Sequence, residues 1–152
     1  QVRPENRDDL IKAYYALLTG DDEVSRLAAA KAWSVWEGRT STLHSKPDLI
    51  RRFGDSHVAL SMARIECHYF VHQAFIQPNQ ILDRVDCLQG IPGVIVHGRH
   101  DVVCPLDQAY ALHQVWPESR LSIIPAAGHS ASDPAVADAL IRATDGFAER
   151  LA

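Results

Sequence analysis

The sequence predicts an α/β fold in which a helical first half is followed by a segment that alternates helix with strand. Three observations carry this. Capped amphipathic helices fill residues 1–76, with no convincing strand among them. A turn at Gln77-Pro78-Asn79-Gln80 then closes that stretch. Beyond it, Gly93-Val94-Ile95-Val96 and Leu121-Ser122-Ile123-Ile124 are short apolar runs bracketed by glycine and proline, the pattern of buried strands.

In chain order, the first helix has Leu10, Ile11, Tyr14, Tyr15, Leu17 and Leu18 at helical spacing, with Asp8 or Asp9 as cap and Gly20 as stop. A second, capped by Asp21 or Asp22, runs through the alanine-rich stretch 27–32 and ends near Trp36-Glu37-Gly38. Pro47 and Asp48 open a short helix over 49–53 that Gly54 closes, and Ser56 is the expected cap of a long one over 57–75. The second half reads as helix 79–85, strand 93–97, helix 106–115, strand 121–124 and helix 135–151. Asp133-Pro134 supplies a cap followed by proline at the first helical position. The two strands should be parallel, joined by a crossover helix. A two-stranded parallel sheet is marginal alone, so the fold is expected to be incomplete.

Composition excludes several classes. Of 152 residues, 47% are hydrophobic and 22% charged, with a net charge of −4, which offers no basic footprint for nucleic acid or an anionic membrane. No apolar run reaches the roughly 20 residues of a spanning helix. The start, Gln1-Val2-Arg3-Pro4, has neither an initiator Met nor the apolar core of a signal peptide and reads as a cut. Cys67, Cys87 and Cys104 are odd in number and widely spaced, which fits free thiols and a cytoplasmic location.

The chemistry concentrates after the strands, where open α/β sheets place their ligands. Asp101 follows the first and His129 the second, within Gly128-His129-Ser130. A catalytic histidine needs an acid on one ring nitrogen, to fix its tautomer, and leaves the other free to take a proton. The two keep the Ser, Asp, His chain order of α/β-hydrolases, but the sequence contains no Gly-x-Ser-x-Gly, so the nucleophile is expected on an upstream segment. A rival reading takes His100, Asp101, Cys104 and His129 as a zinc set, although their spacing matches no ligand signature. A non-catalytic binding protein derived from a hydrolase is a third. His97, inside the strand, reads as packed, and His44, His57, His72 and His113 as structural or solvated.

Four motifs in order along the chain resemble the C-terminal half of the proline iminopeptidases, α/β-hydrolases that release N-terminal proline from peptides. They are Trp33-Ser34-Val35-Trp36-Glu37 with Thr40 and Leu43; Arg64-Ile65-Glu66 with His68-Tyr69-Phe70 and Phe75; His97-Gly98-Arg99 with Asp101, Cys104 and Pro105; and Ala127-Gly128-His129-Ser130. The resemblance implies a helical cap over 1–76, inserted in the hydrolase fold. It implies that 77–152 supply the last two parallel strands and flanking helices of the core. Asp101 and His129 would be the triad's acid and base. Glu37 and Glu66 would hold the substrate's free amine, Phe70 would line the proline-ring pocket, and no metal or other cofactor would be needed. The implied partners are a peptide with N-terminal proline and an N-terminal segment carrying the serine; without that segment the chain would be inactive. The sequence departs from the family at His100, where tyrosine is usual, and at Cys67 and His72, where asparagines are common.

Overall fold

A computed structural model describes residues 2–151; Gln1 and Ala152, the outer ends of the two expected segments, lie outside the described residues. The elements run α1 (Leu10–Thr19), α2 (Glu23–Thr40), α3 (Pro47–Phe53), α4 (Ser56–Val71), α5 (Gln80–Asp83), β1 (Gly93–Gly98), α6 (Leu106–Val115), β2 (Ser119–Ile124) and α7 (Pro134–Leu151). Short 3-10 turns occupy Pro4–Asp9, Gln73–Phe75 and Val85–Leu88. The chain forms two compact units, one from residues up to Arg39 together with Lys46–Pro78, the other from Thr40–Ser45 together with the chain beyond Asn79.

The first unit is helical. Asp9 caps α1 by accepting the Lys12 amide at 3.0 Å. Its core joins Leu18 of α1, Ala29 and Ala30 of α2, and Ala59, Ala63 and Cys67 of α4, with Tyr14, Tyr15, Trp33 and Leu60 packed around them. Small residues let helix backbones approach closely, and two cross-links use that closeness. Ser34 Oγ donates to the Ala59 carbonyl at 3.1 Å, and Cys67 Sγ donates to the Ile11 carbonyl at 3.3 Å. Burial pushes the Cys67 thiol up to about 11, which keeps it protonated as the donor of that bond.

α2 ends at Thr40, two residues past its expected end near Gly38. A β-carbon there would lie 3.2 Å from the Phe53 side chain, so the glycine serves a close approach to α3. The cap of α4 is Asp55, whose carboxylate accepts the His57 and Val58 amides at 3.1 and 3.3 Å, while Ser56 is the first helical residue. The same helix ends at Val71 instead of Phe75, because Gln73, Ala74 and Phe75 all adopt positive φ. Left-handed backbone costs a residue with a β-carbon roughly 1–2 kcal/mol. Offsetting contacts come from His72, whose Nδ1 bonds the His68 carbonyl oxygen at 2.7 Å and whose ring stacks on Phe75 at 5.0 Å.

In the second unit β1 and β2 pair in parallel from Gly93↔Ser119 to Gly98↔Ile124, as the crossover pattern predicts. Both strands are longer than their apolar runs, β1 by His97 and Gly98 and β2 by Ser119 and Arg120. Except for Gly98, β1 is half-buried instead of fully buried, since among the described residues it has a strand on one edge only. Trp116 closes the start of the pair: its indole donates to the Ile91 carbonyl at 3.0 Å, and its ring fills the space a side chain at Gly93 would need. Asp133 caps α7 through the Ala135 amide at 3.3 Å. Among the described residues no helix is long and apolar enough to cross a membrane.

The small-residue core makes the first unit sensitive at Leu18, the largest fully buried side chain among the described residues. Leu18→Ala should lower unfolding free energy by about 2–5 kcal/mol in urea titration. Val24→Ala, at a side chain 79% exposed, should stay within roughly 0.5 kcal/mol of the parent.

Candidate active site

In the second unit the two strand-to-helix loops are drawn together by backbone hydrogen bonds that continue past the sheet. Arg99 N donates to the Ile124 carbonyl at 2.9 Å and His100 N to the Ala127 carbonyl at 3.0 Å. Gly98 permits this approach, and Gly128 permits that of a second segment. A β-carbon at Gly98 would be driven into the backbone of Gly128 and Ala127, and one at Gly128 would lie 3.0–3.2 Å from the backbone of residues 41–43. Ser130 N donates to the Ser41 carbonyl at 2.7 Å, so segment 40–45 holds the far side of the histidine turn.

Within that frame Asp101 is saturated with donors. Its Oδ1 accepts the Val103 and Cys104 amides at 2.9 and 2.8 Å. Its Oδ2 faces His129 Nδ1 at 2.9 Å. The carboxylate is 5% exposed and the imidazole 36%. Burial alone would push the Asp101 carboxyl up. The Cys104 amide, the bond and charge of His129, and the Val103 amide together outweigh it and hold the carboxyl below its ordinary value. A carboxylate on Nδ1 places that ring nitrogen's proton between the two groups, leaving Nε2 as the basic nitrogen. The imidazole lines a cleft of about 270 Å³ with Val96, Cys104, Ala131 and Leu140.

The structure thus brings Asp101 and His129 into contact. It does not gather the proposed zinc set: among the described residues no group of three or more His, Cys, Asp or Glu side chains could hold a metal ion. His100 is exposed and tied in by its backbone, and Asp101 has both oxygens engaged by the loop and by His129. His97, read from sequence as merely packed, places Nε2 3.8 Å from the same Asp101 oxygen, with Nδ1 2.9 Å from the Gly98 carbonyl oxygen. The four-residue spacing across the strand end was the available signal for it.

Glu37, Glu66 and Phe70 belong to the first unit. Glu66 and Phe70 stand one turn apart on α4, and Trp33 of α2 touches both. Its indole N–H donates to Glu66 Oε2 at 2.7 Å, and its ring lies 6.0 Å from that of Phe70. Glu37, one turn beyond Trp33, is buried. Trp33, Phe70, Tyr14, Trp36, Leu10 and Ile11 surround an apolar cavity of about 460 Å³. Sequence reading passed over Trp33 as a partner of Glu66. Its i, i+4 spacing to Glu37 was visible, but the cross-helix contact was not.

Parallel strands with an acid after the first and a histidine after the second define an α/β-hydrolase class of fold, and a solved structure agrees. The esterase EaEST from Exiguobacterium antarcticum matches with a TM-score of 0.54 at 19% identity, over 93% of this chain and 47% of that one, a likeness of fold. No family model matches. By sequence the chain is a homologue of the proline iminopeptidases and matches their C-terminal half. It is 55% identical to the proline iminopeptidase of Xanthomonas citri over 148 residues, 97% of this chain and 47% of that protein. It is 51% identical to a probable proline iminopeptidase of Leptolyngbya boryana and 40% identical to the proline iminopeptidase of Arabidopsis thaliana. The chain therefore spans about half the length of these relatives or less.

The lowered Asp101 carboxyl gives a signed pH dependence. A carboxyl depressed in the folded state contributes stability that is complete above its ordinary value of 3.8 and is lost as pH falls through the lower folded value. Asp101→Asn should cost about 1.5–3 kcal/mol at pH 7. In thermal unfolding followed by circular dichroism, the gap between parent and variant should narrow below pH 4.

Proposed function

We propose that this chain carries the acid, the base and the amine-binding carboxylates of a serine aminopeptidase that releases N-terminal proline from peptides. The observation that carries this reading is the 2.9 Å contact between Asp101 Oδ2 and His129 Nδ1 in a chain homologous to proline iminopeptidases. No Gly-x-Ser-x-Gly occurs in the sequence, so the nucleophilic serine and the oxyanion donors are assigned to a further segment. Three cysteines, odd in number and widely spaced in the sequence, fit a cytoplasmic location.

In this reaction His129 Nε2 takes the serine proton as the hydroxyl attacks the prolyl carbonyl. Asp101 stabilises the resulting imidazolium without itself accepting the proton. The imidazolium then protonates the leaving amine, which departs and leaves a prolyl ester. Water, deprotonated by His129, attacks that ester and releases proline. Residues up to 76 act as the cap. Glu37 and Glu66 bind the cationic amine by charge-assisted hydrogen bonds, and Phe70 offers an apolar face to the ring.

With L-proline p-nitroanilide the purified chain should release no proline. Supplying the N-terminal half of a proline iminopeptidase should generate activity that His129→Ala or Asp101→Ala lowers by roughly 10³-fold or more. Release by the chain alone, abolished by His129→Ala, would place the nucleophile here. In the reconstituted enzyme Glu66→Ala should mainly raise KM. An unchanged preference for a free amine would count against its role.

A further inference from the structure

We infer that Trp33 is a positioning residue for amine recognition, acting through Glu66; this rests on the reading of Glu66 given above. The indole has a single donor, and it is committed to Glu66 Oε2 at 2.7 Å. Oε2 accepts that bond, and Oε1 is the oxygen left to meet a ligand's ammonium. An untied glutamate side chain samples several rotamers, and tying one oxygen of the half-buried Glu66 reduces that freedom before a ligand arrives.

The donor is itself immobilised. Tyr14 packs edge-on against the Trp33 ring with centroids 5.3 Å apart, and Phe70 lies against it at 6.0 Å. On the adjacent residue, Ser34 Oγ is buried and bonded to the Ala59 carbonyl, pinning α2 to α4 about two turns before Glu66. The fixed ring also forms a wall of the apolar cavity that Phe70 lines. One side chain therefore orients the carboxylate and shapes the surface beside it, which couples recognition of charge to recognition of an apolar ring. Phenylalanine at position 33 would keep the wall and lose the donor.

The test uses the 152-residue chain with L-prolinamide as probe and N-acetyl-L-prolinamide, which lacks the amine, as control. In ¹⁵N-edited spectra the Trp33 indole proton should move when Glu66→Gln replaces the charged acceptor; a resonance that does not respond would overturn the contact. L-Prolinamide affinity should fall about tenfold in Glu66→Gln and about fivefold in Trp33→Phe, and Trp33→Phe should have no further effect in the Glu66→Gln background. A merely structural role would instead add its loss in both backgrounds and would weaken the acetylated control as well. If Glu66→Gln leaves L-prolinamide binding unchanged, the assignment of Glu66 fails. If it weakens binding while Trp33→Phe does not, or if the two losses add, the positioning role fails and that assignment stands.

Discussion

The second unit is organised around the Asp101 carboxylate. Two amides of its own loop hold one oxygen and His129 holds the other, so the acid is fixed from both sides. A carboxylate with little exposure to water needs such donors, since a buried charge without them would cost several kcal/mol. The two amides come from the loop itself, and the His129 donor is within reach because Gly98 lets the end of β1 lie at backbone distance from Ala127 and Gly128. Pairing of the strands, the approach of their loops and the depressed Asp101 carboxyl are consequences of one geometry.

The first unit achieves its order differently. Alanines and Cys67 where α1, α2 and α4 meet allow side chains on one helix to reach the next, and Ser34, Cys67 and Trp33 each use that reach for a hydrogen bond. The buried Cys67 thiol donates to the Ile11 carbonyl of the neighbouring helix.

Element type and order were legible because they rest on local rules. The periodicity of α1, the proline start of α7 and the β-branched run of β1 each act within a few residues. Asp101 and His129 were legible because each follows a strand and the motifs around them resemble a family. Other features depend on partners distant in sequence. The close approach that Gly38 allows is not visible until Phe53 is seen against it. His97 reads as a packed strand residue until the loop folds Asp101 back towards it. The link from Trp33 to Glu66 spans two helices and has no periodic signature. The positive φ at Gln73, Ala74 and Phe75, none of them glycine, ended α4 against its apolar pattern. Segment 40–45, which has no periodicity of its own, meets the histidine turn through a backbone hydrogen bond from Ser130 to Ser41.

The central claim is that Asp101 and His129 form a hydrogen-bonded acid and base within this chain. The most direct measurement is the proton spectrum of the His129 imidazole. A hydrogen bond from Nδ1–H to a carboxylate should give a strongly downfield resonance, present in the parent chain and in His97→Gln, and absent in Asp101→Ala and His129→Ala. A parent chain without that resonance, or one in which it survives Asp101→Ala, would contradict the account.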